Sequence, residues 1–166
     1  MIKLEKPDID VESIITDCTA NLTKQPILTH INASKTTIVS KSEKYNELAE
    51  KGQLGTLETH TMIEGGATKD DMVWLYDNKF VADGGRKYYD KIKAIPKYSK
   101  CPFCGVGIVS TLDHYLPKTK YPTYALTPVN LIACCADCNK NKKSEISETR
   151  NNEFIHPYYD DFNDEV

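Results

Sequence analysis

The sequence predicts an α+β chain: a mostly helical region, residues 1–97, followed by a cysteine-bearing region, residues 98–166, with two short strands and a helix. Three observations predict it. Apolar residues recur at helical spacing through the first region. After residue 106 the pattern switches to β-branched runs that flank a proline-rich stretch. Two CxxC pairs bracket those runs and would staple them together.

The elements follow in order. Residues 8–23, "DIDVESIITDCTANLT", place Val11, Ile14, Ile15, Cys18 and Leu22 on one helical face, and Pro26 should stop that helix. Residues 41–51, "KSEKYNELAEK", predict a second helix with Ser42 as its cap and Gly52 as its stop. "TKDDMVWLYDNKF" opens with Thr68 three residues before Asp71, a variant capping box, and aligns Met72, Leu75, Tyr76 and Phe80. "GGRKYYDKIKAIP" predicts a helix between Gly85 and Pro96. Beyond the "CPFCG" knuckle, "GIVSTLDHYL" and "NLIACC" predict strands, separated by a loop holding Pro117, Pro122 and Pro128. From about Cys138 onward, "CNKNKKSEISETRNN" is compatible with a helix, and "FIHPYYDDFNDEV" is an aromatic, acidic tail.

Composition bounds the function. The chain starts without an apolar signal segment and contains no apolar run near the ~20 residues of a membrane span, so a cytoplasmic protein with reduced cysteines is expected. Net charge is −3, but it is unevenly spread. Residues 1–85 hold 9 Lys/Arg against 14 Asp/Glu, residues 86–150 hold 12 against 5, and residues 151–166 hold none against 5. Phosphates respond to local potential, so the basic middle admits a nucleic-acid partner; an uneven but functionless surface is the alternative.

The strongest chemical signal is Cys101, Cys104, Cys135 and Cys138, two CxxC turns that can complete a tetrahedral thiolate shell, with zinc as the default ion. Cys134 competes with Cys135, but only Cys135 has the two-residue spacing to Cys138. Four thiolates leave no open position, so this ion would be structural. The knuckles enclose a longer interval than a simple zinc ribbon needs, and the interval contains "TLDHYLPK". Asp113 offers a hard oxygen ligand suited to Mg²⁺, and His114 a general base; a hydrogen-bonded core pair is the alternative. Cys18 is expected in the core, His156 is expected to pack the tail, and Arg86 with Tyr88 and Tyr89 reads as helix surface.

"TLDHYLPK" followed by "PVNLIACCADCNKNKK" resembles the HNH endonucleases, the ββα-metal nucleases, with His114, Asn130 and Asn139 at the three motif positions. The last position is usually His; Asn139 is the form found in zinc-bearing members. The resemblance implies metal-dependent cleavage of DNA, with RNA as an alternative substrate. It implies His114 as base, Asp113 and Asn139 as ligands of a catalytic Mg²⁺ or Mn²⁺, and Asn130 either pinning the loop or orienting His114 by a hydrogen bond. Lys118, Lys120, Lys140, Lys142 and Lys143 would meet the phosphate backbone, Lys142 foremost. The wider run through "FIHPYYD" is similar to HNH subunits of bacterial anti-phage systems, including the Septu type, which work beside an ATPase. That likeness implies an ATPase partner, with Trp74, Tyr76 and Phe80 as a docking surface; aromatics that only pack the N-terminal helices together are the alternative. The rival reading is a non-catalytic zinc module that binds nucleic acid or protein.

Overall fold

A computed structural model describes residues 1–142 and 155–161. Helix α1 (Val11–Thr19) starts where Asp10 accepts a hydrogen bond from the Ser13 N–H at 2.8 Å, and it buries Val11, Ile14, Ile15 and Cys18. The next helix departs from the sequence expectation. Instead of a short helix capped by Ser42, one helix, α2 (Ile27–Glu50), runs from Pro26 to Lys51. Ser42 lies buried in its middle and hydrogen-bonds the Thr127 hydroxyl at 2.7 Å. The buried positions Ile27, Ile31, Ser34, Ile38, Ser42, Tyr45 and Ala49 form a continuous stripe three and four residues apart. Small hydroxyls within that stripe interrupt its hydropathy, which hides the helix's first half from a periodicity search.

Helix α3 (Lys69–Leu75) begins at the Thr68–Asp71 capping box, with both reciprocal hydrogen bonds formed. It continues into a π turn, Tyr76–Phe80, closed by Val81 N–H donating to the Tyr76 carbonyl at 3.0 Å. Helix α4 (Arg86–Lys93) follows. Strand β1 (Thr111–His114) pairs antiparallel with β2 (Leu131–Cys134), in a register that sets Asp113 opposite Ile132 and His114 opposite Leu131. The chain ends its described course in α5 (Ala136–Lys142) and the tail segment 155–161. The mixture of helices with one small antiparallel sheet is an α+β arrangement.

All four β2 residues are buried, so both faces of this small sheet are covered. On one side Leu112, Leu131 and Ala133 share a core with Ile14, Ile31, Met72, Leu75, Phe80 and Ile92 of the helices. On the other side Ile132 packs with Leu4 and Tyr158, and the Leu4 N–H donates to the Pro157 carbonyl at 2.8 Å. The aromatic set expected as a docking face belongs to this interior. Phe80 is fully buried, Tyr76 nearly so, and their rings stack at 5.2 Å, while Trp74 packs partly buried against the same cluster. A ring that already fills the core is not available to a partner, which corrects the docking expectation.

A two-stranded sheet is marginal without apolar cover. A fragment of residues 98–166 should therefore show no cooperative thermal transition, even with zinc supplied, whereas the full chain should show one; circular dichroism melts check this.

Candidate functional site

Two short elements position the candidate chemistry. Cys101 and Cys104 lie on the knuckle before β1, and Cys135 and Cys138 lie at the start of α5. The four sulfur atoms fall within 4.8 Å of one another, and Cys104 Sγ is 3.9 Å from Cys135 Sγ. Tetrahedral zinc–thiolate bonds of ~2.3 Å would separate sulfurs by roughly 3.8 Å, so the set could hold a zinc ion. Gly107 lets the chain pass this close: a Cβ there would meet Cys135 Sγ at 2.8 Å. Its N–H donates to Cys104 Sγ at 3.2 Å. Backbone N–H groups of Val106 and Gly107 pull the Cys104 thiol down to about 6. Burial, and then the neighbouring sulfurs, push the Cys138 thiol up. Four clustered thiols cannot all ionise together without a cation among them. Cys134 points elsewhere: it is fully buried, outside the sulfur cluster, with its thiol pushed up to about 12 by burial.

Helix α5 contributes no buried residue to the core and has only seven residues. Its start is tied down by the cysteine cluster. Its far end is tied by Lys142, whose Nζ donates to Asp113 Oδ2 at 2.7 Å and to the carbonyls of His114 at 2.9 Å and Tyr115 at 3.2 Å. The Lys142 side chain is only 9% exposed. This differs from the expected phosphate contact: the ammonium is turned inward onto β1. Lys143 lies outside the described residues.

Between the two tethers, Asn139 lines a cleft of about 500 Å³ together with Asp113, His114, Lys118 and Lys140. The opposite wall is Tyr76, Val81 and Tyr89, from the helical region. The sequence marked Tyr76 as notable but gave no sign that it would meet His114. The π turn brings the Tyr76 ring edge-on to the His114 ring at 4.5 Å. Lys118 Nζ sits 4.6 Å over the Tyr76 ring and 3.4 Å from Asp77 Oδ1. Lys120 is exposed on the same loop and does not line the cleft.

His114 Nε2 lies 2.9 Å from the Ala125 carbonyl. A carbonyl can only accept, so Nε2 carries the proton and Nδ1 keeps its lone pair. Burial, and then the nearby Lys118 charge, hold the imidazole down at about 3, so it is neutral near pH 7. Burial pushes the Asp113 carboxyl up against the opposing pull of Lys142.

Asn130 is fully buried and saturated. Its Oδ1 accepts from Leu116 N–H at 2.8 Å and from the Tyr45 hydroxyl at 2.9 Å, and its Nδ2 donates to the carbonyls of Leu116 at 3.0 Å and Tyr124 at 3.1 Å. It thus ties the loop between the strands back onto the end of β1. The network extends to the tail, which the sequence did not reveal. His156 Nε2 is 3.2 Å from the Tyr45 oxygen, and its Nδ1 accepts from Tyr158 N–H at 3.4 Å. Since the Tyr45 proton goes to Asn130, His156 donates through Nε2. Its ring stacks on Tyr115 at 4.2 Å.

Comparison with known proteins adds one relative. Protein ea31 of Escherichia phage lambda is 31% identical over 170 residues, which covers 96% of this chain and 57% of that protein. The chain therefore spans a little over half the length of its relative. No protein-family model matches the chain. No solved structure matches it either. No helix among the described residues is long and apolar enough to cross a membrane.

Two outcomes follow. Cys135→Ser should lose bound zinc and Cys134→Ser should keep it, as read by elemental analysis of purified protein. Burial, the largest influence, holds His156 at about 3, whereas an unfolded histidine titrates near 6.5. Between those values the unfolded chain binds the extra proton, so acid favours unfolding. This contribution is complete above about pH 6.5 and is lost as pH falls towards 3, on the order of 5 kcal/mol. His156→Gln should flatten the pH dependence of denaturant stability across that window.

Proposed function

We propose that the chain is a metal-dependent endonuclease of the HNH, ββα-metal type that hydrolyses phosphodiester bonds in DNA. The observation that supports it is the convergence of Asp113, His114 and Asn139 on one cleft beside a four-cysteine cluster, the two strands and α5 supplying the ββα parts. Asp113 and Asn139 would supply oxygen donors suited to Mg²⁺ or Mn²⁺, beside the Lys142 ammonium that meets Asp113 Oδ2. A divalent ion held there would offset negative charge on the phosphate and the leaving 3′ oxygen.

His114 supplies the base. Its Nδ1 lone pair is fixed by the donation of Nε2–H to Ala125, and the neutral ring can take a proton from an attacking water. An imidazole held at about 3 is by itself a weak base. A bound phosphodiester's negative charge raises that proton affinity, and a divalent cation on Asp113 and Asn139 acts in the opposite direction. Tyr76 packs the ring in place, and Asn130 fixes the loop behind it. Lys118 and Lys140 make the cleft attractive to phosphate. An ATPase partner would have to dock away from Tyr76 and Phe80, which are buried. The relative comes from a phage, and we extend the proposal to phosphodiester cleavage and not to a defence role.

Plasmid nicking across Mg²⁺, Mn²⁺ and no added metal tests the proposal. Wild type should nick, and His114→Ala should be slower by about 100-fold or more while retaining zinc and its melting profile. Plasmid left intact by wild type with every metal, or nicked equally by His114→Ala, would contradict it; the first result would favour the non-catalytic zinc module.

A further inference from the structure

The knuckle before β1 carries a feature that neither the zinc set nor the cleft uses. Tyr98 is 90% exposed, Val106 76% and Ile108 61%, the three most exposed large apolar side chains among the described residues. Val106 and Ile108 lie on the segment that faces Lys100. Lys100 bridges antiparallel to Ile108, Val109 N–H donates to the Ser99 carbonyl at 2.8 Å, and Lys100 Nζ reaches the Val106 carbonyl at 3.3 Å. Tyr98 stands one residue beyond this pairing.

Its exposure is enforced by the backbone. Tyr98 and Ser99 both adopt the left-handed region, at φ 55° and φ 54°. This conformation is uncommon for a non-glycine residue, and two in succession are costly. A chain selected only for stability would place Gly or Asn here and would not present a tyrosine ring to water. Strain that displays an aromatic ring is a mark of binding.

The surroundings indicate the ligand. Lys91, Lys93, Lys97 and Lys100 precede the knuckle, and no Asp or Glu occurs from residue 91 to residue 112. Lys97 precedes the ring directly and Lys100 follows it by two residues, and an aromatic ring with cations beside it in the chain suits a base with its flanking phosphates. We propose that this knuckle tip binds single-stranded nucleic acid, with Tyr98 stacking on an unpaired base and Lys97 and Lys100 meeting the adjacent phosphates. The contact is one of binding and does not depend on cleavage.

The test uses the full chain carrying His114→Ala, so that the probe survives, and a fluorescent twelve-nucleotide thymidine strand read by anisotropy at several salt concentrations. Added Tyr98→Ala or Tyr98→Leu should weaken binding about 10-fold, while Tyr98→Phe should stay within about 2-fold, because the ring carries the stacking. Lys97→Ala with Lys100→Ala should reduce the salt slope by about 1.4. Tyr98→Gly should raise the thermal midpoint while losing affinity, since it relieves the left-handed strain. Unchanged affinity for Tyr98→Ala, wild-type affinity for Tyr98→Leu (the signature of a general apolar patch for a protein), an unaltered salt slope, or a lowered midpoint for Tyr98→Gly would each overturn the assignment. These readings stand whether or not the plasmid assay detects nicking.

Discussion

The candidate site depends on how α5 is held. Helices in proteins are stabilised mostly by burying an apolar face, and a seven-residue helix has little stability of its own. Helix α5 buries no residue. Two polar tethers do the work instead: the cysteine cluster at its start and the Lys142 ammonium at its end. Asn139 lies between them, directly after Cys138 and three residues before Lys142, so a zinc ion held by the cysteines and one partly buried ion pair would together set its place in the cleft. The cysteines fix where the helix begins, and the lysine fixes the angle at which it crosses β1.

The cleft is a joint product of the two halves of the chain. Asp113 and His114 come from β1, but the opposite wall comes from the π turn and α4. Packing and electrostatics are coupled there. The same Tyr76 ring that fills the core beside Phe80 also presses on His114 and underlies Lys118. Burial that fixes the imidazole also keeps it neutral. The loop behind it is locked by Asn130, whose partners reach α2 through Tyr45 and, beyond it, the tail through His156. Ordering of the tail and geometry of the cleft are therefore linked by hydrogen bonds whose donors and acceptors are each uniquely assigned.

Much of this was legible in the sequence, and the rest was not for identifiable reasons. The CxxC spacings and the Thr68–Asp71 box are local signals that produced the local structure expected, whereas the β-branched runs formed strands only over Thr111–His114 and Leu131–Cys134. The preference for Cys135 over Cys134 came from spacing alone and agrees with the sulfur positions. Helix α2 was half hidden because Ser34 and Ser42 are core positions chosen for hydrogen bonds, to the Ala67 N–H and the Thr127 hydroxyl, and not for hydropathy. Lys142 was read as outward because lysine runs usually are solvated; no periodicity shows that a carboxylate and two carbonyls await it. Trp74, Tyr76 and Phe80 were read as a surface for the same reason: whether an aromatic stripe faces a partner or its own core is decided by tertiary contacts that sequence spacing does not contain.

The claim that metal binding places Asn139 can be tested without measuring cleavage. Hydrogen exchange followed by mass spectrometry on the full chain, before and after zinc is removed by a chelator, reads the tether directly. The account predicts that amides of residues 136–142 lose their protection when the metal leaves, while those of α1, α2 and α3 keep theirs. Protection of α5 that is unchanged after complete removal of zinc would contradict it.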